Sequence, residues 1–193
     1  MYVTISGVHG IGKSSICNLL VKRNKWELLP EILDVLVSPP VFGPKSDNKL
    51  LSELWFMRQM IVRENKIRSS PGPIILCDRG WHDVLIYSKV LLSENEFNVF
   101  QSVISAIPKK FPDLEIVLWA ENKKVMERIN SRNRNNLGSW GEDDLEYLKS
   151  VNELYKKYHD DFKDVKNIVL VDASGSLEDT YSQVRATIDN FLR

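Results

Sequence analysis

Short apolar runs alternate along this chain with longer stretches of helical period. YVTIS (residues 2–6), WELL (26–29), PIILC (73–77), LEIVLW (114–119) and NIVLV (167–171) are compact, β-branched or bulky, and flanked by breakers; each predicts a strand. Between them Leu50, Leu54, Met57 and Ile61 recur at spacings of three and four residues, as do Leu177, Tyr181, Val184, Ile188 and Phe191, which predicts helices with one buried face. Near-continuous apolar strands separated by such helices imply a parallel sheet covered on both sides. The expected fold is a doubly wound α/β domain, with ligands at the carboxyl ends of the strands.

Two stretches break the alternation. SPPVFGPKSD (38–47) is too rich in proline and glycine for regular helix and predicts a mobile surface loop over a cleft edge. NRNNLGSWGEDD (133–144) interrupts two helical patterns with glycine, asparagine and charge, the composition of a closing lid. No internal repeat, low-complexity tract or polar linker divides the chain.

Composition narrows the class. With 43% hydrophobic residues, a chain of 193 residues can bury one sizeable core, so a single domain over 1–193 is expected. Lysine plus arginine equals aspartate plus glutamate at 26 each, so the whole-chain field attracts neither nucleic acid nor an anionic membrane. Any anion affinity must be local. Cys17 and Cys77 are too few and too far apart for a disulfide framework or a four-cysteine zinc site, which fits a reducing cytoplasm. No export signal or membrane-length apolar run is evident, so a soluble, cytoplasmic protein is expected.

Local anion chemistry is spelled out by GVHGIGKSS, residues 7–15. Gly7, four residues, then Gly12-Lys13-Ser14 satisfies the Walker A spacing, between a predicted strand and a predicted helix. Glycines at 7, 10 and 12 permit positive φ and close approach, so main-chain N–H groups along the loop, including those of His9, Ile11 and Ser15, can converge on phosphate oxygens. Lys13 would reach the outer phosphates as a point charge, and the Ser14 hydroxyl would help hold Mg²⁺. In PIILCDRG, an apolar run delivers Asp78 to the ligand edge of the sheet, where it would also hold Mg²⁺; a helix cap is the competing role.

GVHGIGKSS, LCDRG, the arginine-rich RINSRNR and a terminal LVDASGSLEDTYSQV, in this order, resemble the thymidylate-kinase and deoxynucleoside-kinase superfamily of small P-loop kinases, from residue 1 to about 190. That resemblance implies a five-stranded parallel sheet, ATP and Mg²⁺ at the phosphate loop, and a small lid over about 128–144. Carried over by position, it places Arg79 toward the acceptor and Glu31 on the acceptor sugar, as general base in the nucleoside kinases. It puts Arg58 near the acceptor base, with Gln59 and Arg63 as competitors, and Arg128, Arg132 and Arg134 in the lid. His9 stands where thymidylate kinases usually carry aspartate, and Leu29-Pro30-Glu31 lacks their arginine. DRGWHDVLIY is similar to a stretch in P-loop kinases related to ribosylnicotinamide kinase.

Plainer roles stand beside these. His9 is expected to point to solvent while its main chain binds; His82 and His159 show no metal spacing and read as surface or capping residues. Trp81 and Trp140 can stack on a base or simply pack their loops. Glu31 can be a partner for a basic residue, and the lid arginines a solvated helix face.

The expected reaction is phosphoryl transfer from ATP·Mg²⁺ to a small nucleoside-type acceptor, first a nucleoside monophosphate as in thymidylate kinases, with a nucleoside kinase of deoxynucleoside or ribosylnicotinamide type as the alternative. A regulatory NTP-binding switch is a further alternative, although ENKK (121–124) has lysine where a guanine-reading motif needs aspartate. Neither nucleic acid nor membrane is an expected partner. The resemblance implies the option of a homodimer through helices flanking the sheet.

Overall fold

β1 (Tyr2–Ser6) is the central strand of a five-stranded sheet ordered β2-β3-β1-β4-β5, with β2 at Glu27–Leu29, β3 at Ile75–Asp78, β4 at Leu114–Trp119 and β5 at Ile168–Asp172. Every pairing is parallel. The computed structural model describes residues 1–34, 38–70, 72–131 and 140–193. Each expected strand is present within two residues of its reading. The largest shift is in β3, which starts at Ile75 rather than Pro73 because proline has no N–H for the ladder.

The helices are α1 (Lys13–Asn24), α2 (Lys49–Ser69), α3 (Trp81–Leu91), α4 (Glu94–Ala106), α5 (Asn122–Ser131), α6 (Leu145–Phe162) and α7 (Leu177–Phe191). The chain steps from β1 outward to β2, returns through β3, and crosses β1 to reach β4. Parallel crossovers keep one hand, so this reversal puts α1 on one face and the later crossover helices on the other. In keeping with that, α1 packs with α7, and α3 packs with α2 and α6. A crevice opens at the carboxyl ends of β1 and its neighbours, where direction switches. No described helix is long and apolar enough to cross a membrane.

α2 departs from its sequence pattern. Leu54 and Ile61 of the expected buried stripe are 38% and 39% exposed, and Leu51 is 57% exposed. The inner face instead carries Ser52, Glu53, Phe56, Gln59, Met60 and Arg63, all buried. Polar groups face inward because this helix lines the crevice and holds the loop after β2. The loop expected to be mobile over 38–47 has a buried anchor, Phe42, whose ring meets Phe56 at 4.7 Å and Tyr87 at 5.7 Å between centroids.

Candidate active site

The phosphate loop joins β1 to α1. Gly7 has φ +137°, and a Cβ there would stand 2.5 Å from the Leu118 carbonyl oxygen on β4, so the loop requires glycine at this position. Gly12 caps α1 at φ +110° with no side-chain hydrogen bond to the first turn. The opening N–H groups of α1 are thus left to a ligand at the positive end of the helix dipole. They border a cleft of about 330 Å³ lined on one side by Gly10, Gly12, Lys13, Ser14 and Ser15 and on the other by Glu31, Arg79 and Glu142.

Lys13 is buried, its Nζ donating to the Val8 carbonyl at 3.0 Å. Burial first, and the Arg79 charge second, lower its pKa to about 8. Among the described residues no carboxylate pairs directly with this ammonium, although the charges of Asp78, Glu31 and Asp83 favour it, so a polyphosphate would add a direct counter-charge. Ser14 Oγ donates to Asp78 Oδ2 at 2.6 Å, and Asp78 Oδ1 is buried without a hydrogen-bond partner among the described residues. Burial raises the Asp78 pKa against the pull of Lys13. An orphaned carboxylate oxygen beside a serine hydroxyl fits a hard divalent cation. Among the described residues no cluster of three or more His, Cys, Asp or Glu forms a metal cage, so phosphate oxygens and water would complete the coordination of Mg²⁺.

Arg79 follows β3 at φ +75°, a backbone conformation rare for a non-glycine residue. Its N–H donates to the Ile5 carbonyl at 3.0 Å, which ties the turn to β1. Nε contacts Glu31 Oε1 at 2.5 Å, Nη1 reaches Asp83 Oδ1 at 3.3 Å and Tyr155 Oη at 3.4 Å, and the guanidinium lies 4.8 Å above the Tyr87 ring. Burial opposes the charge, yet Glu31 and the surrounding acid and phenol groups hold the Arg79 pKa above its ordinary value. Asp83 accepts from Ser6 Oγ at 2.8 Å, Gly80 N at 2.7 Å and Tyr155 Oη at 2.5 Å. Burial alone would raise its pKa; His82, Arg79 and these donors lower it instead.

Beyond Arg79 a narrow cavity of about 20 Å³ leads away from the phosphate cleft, bounded by Glu31, Glu53, Asp83, Phe42, Phe56 and Tyr87. Ser88 Oγ donates to one oxygen of Glu53, and the other, Oε1, is buried without a hydrogen-bond partner among the described residues. Burial pushes the Glu53 carboxyl up to about 8 against the Ser88 hydrogen bond.

The structure brings Lys13, Ser14, Asp78, Arg79 and Glu31 together. Arg58 is elsewhere: it pairs with Asp34, and its side chain is 47% exposed. Its competitors hold main chain. Gln59 Oε1 accepts from the N–H groups of Leu33 and Asp34 at 3.0 and 2.9 Å, while Arg63 donates to the carbonyls of Pro30, Glu31 and Arg79. Both residues therefore set the position of the loop that carries Glu31. Arg128 donates to the carbonyls of Ile11 and Gly175 at 3.0 and 2.7 Å, beside a recess of about 200 Å³ bounded by Gly12, Ser15, Leu177 and Thr180. Arg132 and Arg134, with most of the expected lid, lie outside the described residues.

His9 does not point to solvent. It is 7% exposed, with its ring 4.9 Å from Tyr87 and 5.9 Å from Phe42, and Nδ1 is 3.4 Å from Arg79 Nη2. Aromatic rings from α3 and the 38–47 loop close over it. His82 is likewise buried, contacting Ser6, Asp83 and Glu115, rather than a surface residue. Trp81 packs, donating Nε1–H to Glu64 at 2.8 Å, and Trp140 lies 5.9 Å from Phe42. The sequence reading missed Glu53, Glu142 and Tyr155, and it placed Asp83 and Tyr87 in the stretch DRGWHDVLIY without giving either a role. Asp83 and Tyr87 lie four apart in the helix that begins just after Arg79, a spacing that could have flagged them.

The comparisons fit this geometry. A family profile for deoxynucleoside kinases matches residues 3–193. The thymidylate kinase of Limosilactobacillus reuteri is 31% identical over 131 residues, which cover 68% of this chain and 61% of that protein, so the match spans about three fifths of that relative. The structure of deoxyadenosine kinase from M. mycoides with products dCMP and a flexible dCDP bound has a TM-score of 0.83 at 18% identity, covering 98% of this chain and 100% of that one. The same enzyme with dATP bound has a TM-score of 0.76 at 17% identity, with equal coverage. With a profile that runs from Val3 to Arg193, the chain belongs to the deoxynucleoside kinase family.

Proposed function

We propose that this protein transfers the terminal phosphoryl group of ATP to the sugar hydroxyl of a deoxynucleoside. The observation that carries the reading is the Glu31–Arg79 pair, 2.5 Å from Nε to Oε1, at the junction between the phosphate cleft and the narrow cavity. Transfer of this kind depends on alignment and charge neutralisation. Lys13 and the first N–H groups of α1 hold the donor phosphates, and Arg79 faces the position of the transferred group. Bound at Ser14 and Asp78, Mg²⁺ would supply further charge neutralisation on the donor phosphates. Glu31 accepts the proton of the attacking hydroxyl, and its contact with Arg79 fixes the carboxylate for that task. The recess beside Arg128 takes the donor nucleoside.

Acceptor charge decides between the two kinase readings. Among the described residues the narrow cavity is bounded by three carboxylic groups, Glu31, Glu53 and Asp83, with Arg79 as its sole arginine or lysine. A monophosphate dianion would meet like charge there, and the stretch Leu29-Pro30-Glu31 lacks the arginine that thymidylate kinases usually carry after the second strand. The charge of the cavity suits an uncharged nucleoside better, and since about 20 Å³ holds little more than one water, the walls would part to admit the acceptor; a nucleotide-bound deoxyadenosine kinase shares the fold. A regulatory switch would need no acceptor cavity. The test is product identification by mass after incubation with ATP·Mg²⁺ and matched panels of deoxynucleosides and their monophosphates. Phosphorylated deoxynucleosides support the reading. Diphosphates formed from the monophosphates, with nucleosides inert, refute it.

A further inference from the structure

Phosphoryl transfer leaves one buried acid of the narrow cavity without a task. The cavity shares His9, Glu31 and Arg79 with the phosphate cleft, so the two spaces meet along that edge. Away from it the walls are Phe42, Phe56, Met60, Val84 and Tyr87, and Glu53 stands among them. A sugar hydroxyl presented to Glu31 would put the base of a nucleoside against these walls. Rings and apolar side chains suit the faces of a base, but its edge needs hydrogen-bond partners.

Of the three carboxylic groups around the cavity, two are engaged. Glu31 meets Arg79 Nε at 2.5 Å, and Asp83 accepts from Ser6, Gly80 and Tyr155. Glu53 is 1% exposed and is held from one side: Ser88 on α3 donates to Oε2, while Oε1 is buried without a hydrogen-bond partner among the described residues. The Ser88 contact fixes the carboxyl group and leaves Oε1 to a ligand. Packing does not explain an acid at this place, because an apolar side chain of similar size would fill it without the cost of burying a polar group. An orphaned oxygen is costly in the empty site and is satisfied when a base edge arrives.

Burial raises the Glu53 pKa to about 8, so the carboxyl is mostly protonated at neutral pH. In that form it offers a carbonyl acceptor and a hydroxyl donor side by side. Adenine and cytosine offer the complement, an exocyclic amine next to an unprotonated ring nitrogen. Thymine and uracil instead present carbonyl oxygens on both sides of a ring N–H. With Glu31 and Asp83 also bounding the cavity, an amine edge meets complementary charge there and a carbonyl edge does not.

We propose, resting on the reading of the acceptor as a deoxynucleoside, that Glu53 reads the acceptor base and selects an edge with an exocyclic amine beside an unprotonated ring nitrogen. The test is steady-state kinetics of the full chain with ATP·Mg²⁺ at pH 7 on two matched pairs of acceptors. Deoxyadenosine is compared with purine deoxyriboside, and deoxycytidine with pyrimidin-2-one deoxyriboside; each pair differs by the amine alone. The wild type should favour the amine in kcat/KM by about tenfold or more in the pair it accepts, the scale of a buried hydrogen bond left unmade. Glu53→Met should bring that ratio close to one, and Glu53→Gln, which keeps a donor and an acceptor, should retain it. Circular dichroism checks folding, and if Glu53→Met does not fold, Glu53→Asp, which draws the acid back by one methylene, decides in its place by lowering the ratio. A wild-type ratio near one, a ratio unchanged in the folded Met or Asp variant, or a ratio lost in Glu53→Gln would overturn the proposal while leaving a deoxynucleoside kinase. If no deoxynucleoside is phosphorylated, the reading of the reaction falls and this proposal with it.

Discussion

Arg79 and Glu31, forty-eight residues apart in the chain, meet at 2.5 Å where the cleft at the glycine loop borders the narrow cavity. The arginine is aimed there by a left-handed turn after β3, and the loop carrying the glutamate is held from beneath by Arg63. Pairing with a guanidinium fixes the direction of the carboxylate. The two side chains thus act as one unit, and their substitutions should not be additive.

Arg79→Lys keeps the charge and loses the planar fork that reaches Glu31, Asp83 and Tyr155 together. The expected outcome is a fall in kcat of about 10²-fold or more, the range found when a transition-state donor is removed. Glu31→Gln should lower kcat by about 10²–10⁴-fold, as for loss of a general base. In the double variant the combined loss should fall short of the product of the two, which steady-state kinetics on all four proteins will measure.

Lys13→Met should abolish transfer and yet stabilise the ligand-free protein at neutral pH. Its folded pKa of about 8 is below the ordinary 10.5, so between these values the unfolded chain binds more protons and wild-type stability rises with pH. Below pH 8 the folded protein carries a buried ammonium whose penalty methionine removes. Urea unfolding at pH 7 should show the variant more stable by roughly 1–3 kcal/mol. That advantage should shrink by pH 10.

Asp78→Asn keeps the hydrogen bond from Ser14 and removes the negative charge. It should raise the Mg²⁺ concentration needed for half-maximal transfer about tenfold or more while leaving the sheet intact. Titration of activity against Mg²⁺ at saturating ATP, with circular dichroism as a check on folding, measures both effects.

The strands and the phosphate loop were legible because each is encoded locally, by a run of apolar residues or by glycine spacing. The inner face of α2 was not. Leu54 and Ile61 of its apolar stripe face outward while Leu50 and Met57 pack only in part against the core, and Glu53, Gln59 and Arg63 turn inward to serve a cavity and a neighbouring loop. His82 was misread for a similar reason. Its partners Ser6 and Glu115 lie on β1 and β4, and only sheet order, with Ile5 beside Ile116, brings those strands under α3. Position in a motif places Arg58 near the acceptor base, whereas the helix phase turns it toward Asp34.

The buried carboxyl of Glu53 gives the last prediction, and its sign is opposite to that of Lys13. Burial raises its folded pKa to about 8, above the ordinary 4.5, despite the hydrogen bond from Ser88. Between those values the folded protein holds a proton that the unfolded chain has lost, so this group makes stability fall as pH rises. Where it alone titrates, the slope approaches about 1.4 kcal/mol per pH unit. Glu53→Gln keeps an acceptor for Ser88 and removes the titration. Urea unfolding at pH 5, 6.5 and 8 should therefore show the variant gaining on the wild type at each step, and parallel curves would show that Glu53 does not carry the shifted proton. The same substitution also separates structure from recognition. Because the neutral carboxyl and the amide both present a donor and an acceptor to the cavity, Glu53→Gln should preserve the choice of acceptor at pH 7 while flattening any loss of activity between pH 7 and 9.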